Sequence, residues 1–282
     1  MNETNLIQDE DLNLLLNDIS VLYGYDFTQY SKASLKRRVN RICLIDKFTS
    51  FAELRYRIKN SPEYLQRFIE ELTVNVTEMF RDPSFYKSIR ENVLPQLGTY
   101  PFIRIWLAGC STGEEVYSLA ILLKEANLGH KALLYATDLN PKVLEVARNG
   151  IFHINKMKTY SENYIASGGK EDFSTYYTAN YDSVKFNNEL KHKMIFATHN
   201  LVSDRSFNEF QLIICRNVLI YFDKDLQSKV FKLFDESLDH LGYLALGTKE
   251  TIRFSYLEEN YSQINNEKIW RKHSVIENKQ TV

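Results

Sequence analysis

The sequence predicts an α/β protein, with a small all-helical N-terminal domain followed by a domain in which strands and helices alternate. Three observations predict it. Up to about Pro95 every periodic segment has helical spacing; after Tyr100 short apolar runs alternate with helical stripes; and from Lys156 to Lys193 that alternation breaks. Strands alternating with helices imply a mostly parallel sheet covered on both faces, which binds ligands at the carboxyl ends of its strands. The 282 residues, 44% of them hydrophobic, suffice to bury a core in one or two domains.

In the helical part, Leu12, Leu15, Leu16, Ile19 and Leu22 form one stripe, closed by Gly24. Leu35, Val39 and Ile42 form a second. Ser50 with Glu53 resembles a capping box, and Ser61-Pro62 sets a cap before Leu65, Phe68, Ile69 and Leu72. Asp82-Pro83 repeats that device before Phe85, Ile89 and Val93. The predicted domains are residues 1–90 and 91–273, with 274–282 a flexible tail.

In the second part, Phe102 to Leu107 is the first strand and Val116, Leu119, Ala120 and Leu123 mark its helix. Ala132 to Thr137 is the second strand, and Asn140-Pro141 opens a helix that Gly150 ends. Strands are expected at Met194 to Thr198, Gln211 to Cys215 and Tyr243 to Gly247, with a helix from Asp223 to near Gly242. Residues 156–193, with a Thr/Tyr-rich run at Phe173 to Tyr181, read as a small antiparallel β insertion. Trp106 reads as packing, and Tyr117 as packing under the loop that follows the first strand.

Composition removes several function classes. A formal net charge of -1 gives no global field toward nucleic acid or anionic lipid. Cys43, Cys110 and Cys215 are far apart, which suits reduced buried thiols, and the six histidines show no ligand spacing, so no metal is expected. The acidic, polar start and the lack of a bilayer-length apolar run predict a cytoplasmic protein.

The loop Ala108-Gly109-Cys110-Ser111-Thr112-Gly113-Glu114-Glu115 lies between the first strand and its helix. Its small residues let a ligand approach the backbone. A dinucleotide fingerprint needs a third glycine, and two carboxylates in the first helical turn repel a diphosphate. They suit a sulfonium and an ammonium, although they also complement the helix dipole. Asp138, ending the second strand, can accept ribose hydroxyls or serve as a turn residue. Together these features indicate an adenosine ligand without phosphates, a description that fits S-adenosylmethionine.

At this point the residues become recognisable. The segments Asn75 to Asp82, Ala108 to Ser118, Ala136 to Asn140 and Phe210 to Phe222 resemble, in order and spacing, those of the chemotaxis receptor methyltransferase (CheR) family. The resemblance runs from about Asp11 to His273 and implies a Rossmann-like S-adenosylmethionine methyltransferase domain. It implies that Asn75, Thr77 and Arg81 reach the methionyl end of the cofactor, and that Glu115, with Glu114, faces its amino group. By the same resemblance Asp138 holds the ribose, Asn200 and Leu201 border the adenine, Arg216 and Asn217 line the floor, and Tyr221 stands near the methyl group, with Arg81 and Tyr221 the catalytic pair. Gly247 and Glu250 keep the family pattern, whereas Lys249 stands where small polar residues are frequent. The insertion at 156–193 matches poorly.

Methyl transfer from a sulfonium is an in-line displacement. An amine acceptor must first lose a proton, and the Asn/Asp-Pro-Pro-Tyr box frequent in amine methyltransferases is replaced here by Cys215-Arg216-Asn217-Val218. A glutamate, with a pKa of about 4.3, is already ionised, so no general base is needed. The expected function is therefore transfer of methyl groups from S-adenosylmethionine to glutamates of a chemoreceptor or related signalling protein, giving methyl esters and S-adenosylhomocysteine. Other readings are a cofactor-binding signalling adaptor with little turnover and an O-methyltransferase for another carboxylate. Lys36, Arg37, Arg38 and Arg41 lie on one helix; that basic face is either simply solvated or docks an acidic receptor helix, and the resemblance favours docking.

Overall fold

In this computed structural model the described residues are 7–73 and 77–273. Asn75 and the tail at 274–282 lie outside them. The chain forms two compact units, residues up to 75 with 220–229, and 76–219 with the remainder.

The first unit contains α1 (Asp9–Tyr23), α2 (Lys32–Asp46), α3 (Phe51–Asn60) and α4 (Pro62–Leu72). Gly24 closes α1 in the left-handed conformation. Ser50 Oγ accepts the Glu53 N–H at 3.3 Å, and Ser61 Oγ accepts that of Tyr64 at 3.2 Å ahead of α4. Leu12, Leu15, Leu16, Ile19, Leu35, Val39, Leu54, Phe68 and Leu72 are buried, whereas Leu22, read as the end of the first stripe, is exposed. Segment 220–229 is tied to this unit by the backbone: Ser31 N–H donates to Tyr221 O at 2.8 Å and Asp223 N–H to Gln29 O at 3.0 Å.

On α2 the four basic residues separate. Arg37 and Arg41 are exposed. Lys36 pairs with Asp9 at 2.6 Å. Arg38 turns inward, its guanidinium 4.3 Å from the centroid of the Tyr221 ring, and donates to Leu72 O.

The second unit opens with α5 (Pro83–Ser88), a π-helical turn (Ile89–Val93) and α6 (Leu94–Leu97). Then come β1 (Ile103–Ala108), α7 (Glu114–Glu125), β2 (Ala132–Asp138), α8 (Pro141–Asn149) and β3 (Ile151–His153). They are followed by α9 (Met157–Ala166), β4 (Tyr177–Asn180), β5 (Ser183–Phe186), α10 (Asn188–Lys191), β6 (Met194–Thr198) and β7 (Phe210–Cys215). The last elements are α11 (Lys224–Ser237), whose residues up to Lys229 belong to the first unit, β8 (Leu238–Leu246), β9 (Tyr261–Gln263) and β10 (Ile269–Lys272). The main sheet has the order β6-β2-β1-β7-β8-β10-β9, parallel from β6 to β8, with β10 antiparallel to both neighbours. Every residue of β7 is buried, as a strand covered on both faces requires. Trp106 is fully buried among His199, Phe207, Phe210 and Phe234, and its Nε1 donates to Thr137 Oγ1 at 2.8 Å.

Three segments differ from the sequence reading. The helix at Pro83, read with the helical domain, sits in the second unit, because Phe85, Tyr86 and Ile89 complete a core with Ile103, Ile105 and Leu212. The insertion does contain an antiparallel sheet, β3-β5-β4, but it starts upstream at Ile151 and includes helix α9. Helix α11 stops at Ser237 rather than near Gly242. Phe210 pairs with Leu238 and Leu212 with Tyr243, so the extra residues form a bulge in β8, with Leu241 at φ 62°.

α9 and the small sheet are fastened through one carboxylate. Glu125, at the end of α7, accepts hydrogen bonds from Tyr164 and Tyr176 and pairs with Arg90. Its side chain is 4% exposed. Burial opposes its charge, but the three donors prevail and hold its pKa below the ordinary carboxylate range. A folded-state pKa below the unfolded value contributes stability above the unfolded pKa, and that contribution disappears as pH falls through the folded one. Glu125→Ala leaves the largely buried Arg90 without its partner and should destabilise the protein by about 3 kcal/mol in urea denaturation at neutral pH. The gap to wild type should narrow as the pH is lowered through the carboxylate range; a pH-independent gap would contradict this account.

Candidate active site

The loop after β1 is shaped by packing and by backbone conformation. Gly109, Ser111 and Gly113 have φ of 77°, 50° and 94°. A Cβ on Gly109 would come within 2.4 Å of Val218, and one on Gly113 within 2.7 Å of Ala147. The glycines thus admit neighbouring protein groups, a requirement beyond the ligand approach expected from sequence. Gly109 and Cys110 N–H both donate to Thr137 O, at 2.8 and 2.9 Å, which lashes the loop to the end of β2.

Asp138 closes that lashing. One carboxylate oxygen accepts Ser111 N–H at 2.9 Å and the other accepts Asn140 N–H at 3.0 Å. Burial pushes its pKa up, and the N–H donors of Asn140, Ser111 and Leu139 work against that. With up to two lone pairs per oxygen, the carboxylate keeps acceptor capacity beyond its backbone bonds. Beside it, Ser111 Oγ and Asn140 Nδ2 are buried with no hydrogen-bond partner among the described residues. Donors left unpaired at the carboxyl ends of β1 and β2 are where a hydroxyl-bearing nucleoside would bond.

The two glutamates of α7 have different environments. Glu114 is fully buried, its carboxylate taken up by Thr112 Oγ1 at 2.5 Å, Lys156 Nζ at 3.1 Å and Tyr160 OH at 3.2 Å. It fixes the start of α7 to α9 from inside. Glu115 is partly exposed. Its Oε1 accepts from Arg216 at 2.9 Å and from Tyr86 OH at 3.3 Å, leaving Oε2 as the acceptor available to a cation.

Arg216, just after β7, is the hub of the site. It pairs with Asp82 at 2.6 Å as well as Glu115, donates to Arg81 O at 3.1 Å, and stacks 4.1 Å from the Phe85 ring centroid. Burial works against its charge, and Glu115 leads the groups that outweigh it, so its pKa is raised. Asp82, read from sequence as a helix cap, makes no side-chain cap and serves as a partner of Arg216. Phe80 and Asp82 both have left-handed backbone, at φ 53° and 58°, and so turn the chain on either side of Arg81. Phe80 is anchored by its N–H on Ser118 Oγ at 2.9 Å and by rings of Tyr86, Tyr164 and Phe173.

Asn217 follows at φ 61° with its N–H on Glu250 Oε2 at 3.0 Å, and the same oxygen takes Gly247 N–H at 2.6 Å. Glu250 is therefore a brace between the ends of β7 and β8. Asn200 lies in the turn after β6, its Oδ1 on Val202 N–H at 2.9 Å, with Leu201 partly exposed beside it. Thr77 is half-buried, and Tyr221 belongs to the first unit. The sequence reading missed Tyr86, Asp82, Lys156 and Tyr160 as partners of the site. Nothing in local spacing ties Tyr86 to Glu115 or Tyr160 to Glu114.

No group of acidic, histidine or cysteine side chains able to hold a metal occurs among the described residues. Among the described residues, the side chains at these strand ends are carboxylates, amides and hydroxyls, and the Arg216 cation beside them is already paired with Glu115 and Asp82. This set fits a nucleoside carrying positive charge. The model of the CheR methyltransferase SAM binding domain matches residues 75–269, and that of the CheR methyltransferase all-alpha domain matches residues 10–73. The chain belongs to the CheR methyltransferase family.

A protein of Pseudomonas putida named Cher3 is 43% identical over 265 residues, covering 94% of this chain and 97% of its own. The chemotaxis protein methyltransferase of Salmonella typhimurium is 34% identical, over 81% of this chain and 77% of its own. That of Listeria monocytogenes is 31% identical, over 81% and 85%. As a CheR methyltransferase this protein uses S-adenosylmethionine as methyl donor.

The loop geometry yields a test of packing. Gly113→Ala places a Cβ at φ 94° and 2.7 Å from that of Ala147, so it should destabilise the fold by about 2 kcal/mol. A thermal melt within a degree of wild type would show that the loop conformation is not the constraint described.

Proposed function

We propose that this CheR methyltransferase esterifies glutamate side chains of a chemoreceptor. The observation that carries this reading is the carboxylate lining at the ends of β1 and β2, in a chain whose relatives include chemotaxis protein methyltransferases. When bound, S-adenosylmethionine supplies a methyl group on a positively charged sulfur. The glutamate oxygen forms the new C–O bond as the S–C bond breaks, and S-adenosylhomocysteine and a neutral ester leave. Opposite charges merge, so charge disperses in the transition state. Alignment and removal of water from the carboxylate become the expected sources of rate.

The chain's own residues divide that work. Asn75, Thr77 and Arg81 meet the methionyl end; Glu115 Oε2 takes the ammonium; Asp138, with Ser111 and Asn140 beside it, takes the ribose; Asn200 and Leu201 border the adenine. Arg216 and Asn217 form the floor, with Arg216 holding Glu115 in place. Arg81 and Tyr221 position groups rather than donate protons, since an arginine clamped on the acceptor carboxylate would stabilise the ground state. Glu114 supports the loop through Tyr160 and Lys156 instead of facing the ligand.

Calorimetry should register S-adenosylhomocysteine and no NAD. Methyl groups transferred from labelled donor to receptor fragments should be released by base, as esters are and methylamines are not. Heat from NAD alone, or label stable to base, would overturn the reading.

The exposed pair Arg37 and Arg41 on α2 supports docking of an acidic receptor helix there. Arg37→Glu with Arg41→Glu should raise the receptor KM about tenfold and leave S-adenosylhomocysteine affinity within about twofold. Parallel loss of both would mean that the helical unit itself had been damaged.

A further inference from the structure

The loop that follows Glu250 presents an unusual surface. Phe254 is 97% exposed and holds φ 66°, a left-handed conformation in which a bulky side chain is strained. A fully solvated phenylalanine gains nothing from packing that would offset this strain. The loop is nonetheless tightly built. Ile252 and Leu257 are buried at its base, Phe254 N–H donates to Glu258 Oε2 at 2.7 Å, Ser255 N–H to Ile252 O at 3.1 Å, and Arg253 to Gln263 Oε1 at 3.0 Å. Around Phe254 it exposes Lys249, Arg253 and Tyr256. Of the acidic groups beside it, Glu258 holds the Phe254 backbone and Asp235 takes Tyr261 OH at 2.7 Å and Lys272 at 3.0 Å, while Glu236 and Glu259 are exposed.

Its place in the fold gives this surface a purpose. The loop leaves the carboxyl end of β8, the end of the sheet at which Asp138, Glu115 and Asn217 lie. Glu250, which braces Asn217 N–H, is four residues from Phe254, so their Cα atoms are within about 14 Å of each other. Lys249 is the position at which the sequence departs from the family's small polar residues. Resting on the proposed function, we infer that residues 249–256 form a second contact for the protein substrate. Phe254 and Tyr256 meet apolar side chains of an acidic helical segment next to the acceptor glutamate, and Lys249 and Arg253 meet its carboxylates. The loop then selects which glutamates are methylated, through the aromatic anchors and the exposed Lys249 and Arg253.

The decisive variant is Phe254→Gly, because glycine relieves the left-handed strain while removing the anchor. With the purified cytoplasmic fragment of a chemoreceptor as acceptor, KM should rise about tenfold. Melting temperature should be equal or higher, and kcat and S-adenosylhomocysteine affinity unchanged. Lys249→Ser with Arg253→Ser should weaken fragment binding and flatten its dependence on salt. An acceptor KM within about twofold of wild type for both variants would overturn the inference, as would a parallel loss of cofactor affinity. If the wild-type protein binds S-adenosylhomocysteine yet esterifies no fragment, the proposed function fails. Fragment binding measured without turnover then decides the loop separately: equal binding by wild type and Phe254→Gly refutes it, and loss in the variant supports it.

Discussion

The candidate site depends on one buried cation. Arg216 is almost without exposed surface, and its guanidinium joins three stretches of chain: the end of β7, the first turn of α7 through Glu115, and the 81–82 turn through Asp82 and Arg81 O. A buried charge must be paired, and breaking such a pairing is severely destabilising. The carboxylates that Arg216 needs therefore hold fixed positions before any ligand arrives. Glu115 is the clearest case, since one oxygen is committed to the protein and the other remains for a cation.

A second feature follows from the same economy of movement. Phe80, Asp82, Ser111 and Asn217, none of them glycine, hold left-handed backbone in the segments that carry the site. Such conformations persist only where surrounding contacts over-determine them. The contacts are present: Ser118 under Phe80, Arg216 on Asp82, Asp138 on Ser111, and Glu250 on Asn217. Each strained turn is thus held by a polar side chain from elsewhere in the unit. A reaction driven by alignment has use for such rigidity, because misplacement of a bound group by a fraction of an ångström forfeits the in-line geometry.

The insertion is built into this frame. Through α9 and Lys156 just before it, the insertion supplies Tyr160 and Lys156 to Glu114, Asn163 to Met79 O at 3.0 Å, and Tyr164 to Glu125. Helix α7 is gripped at both ends by residues of one short helix. The loop after β1 and the segment before Arg81 consequently share a support that is distant in sequence.

Local rules in the sequence determined much of this protein. Helical spacing, the Ser50 and Ser61 caps, the strand–helix alternation and the positions of Asp138 and the Gly109–Glu115 loop all follow from interactions within a few residues of chain. Those interactions leave a periodic or compositional trace. Only the tertiary structure decided the rest. It separated Glu114 from Glu115, adjacent in sequence, into an interior brace and a site carboxylate, because the helical turn points one toward α9 and the other toward Arg216. It placed Arg38 on Tyr221 while leaving Arg37 exposed, turned Asp82 from a cap into an ion-pair partner, and moved the start of β8 to Leu238 through a bulge. Pairings between residues tens of positions apart depend on where the folded backbone brings side chains together, and no local pattern encodes that.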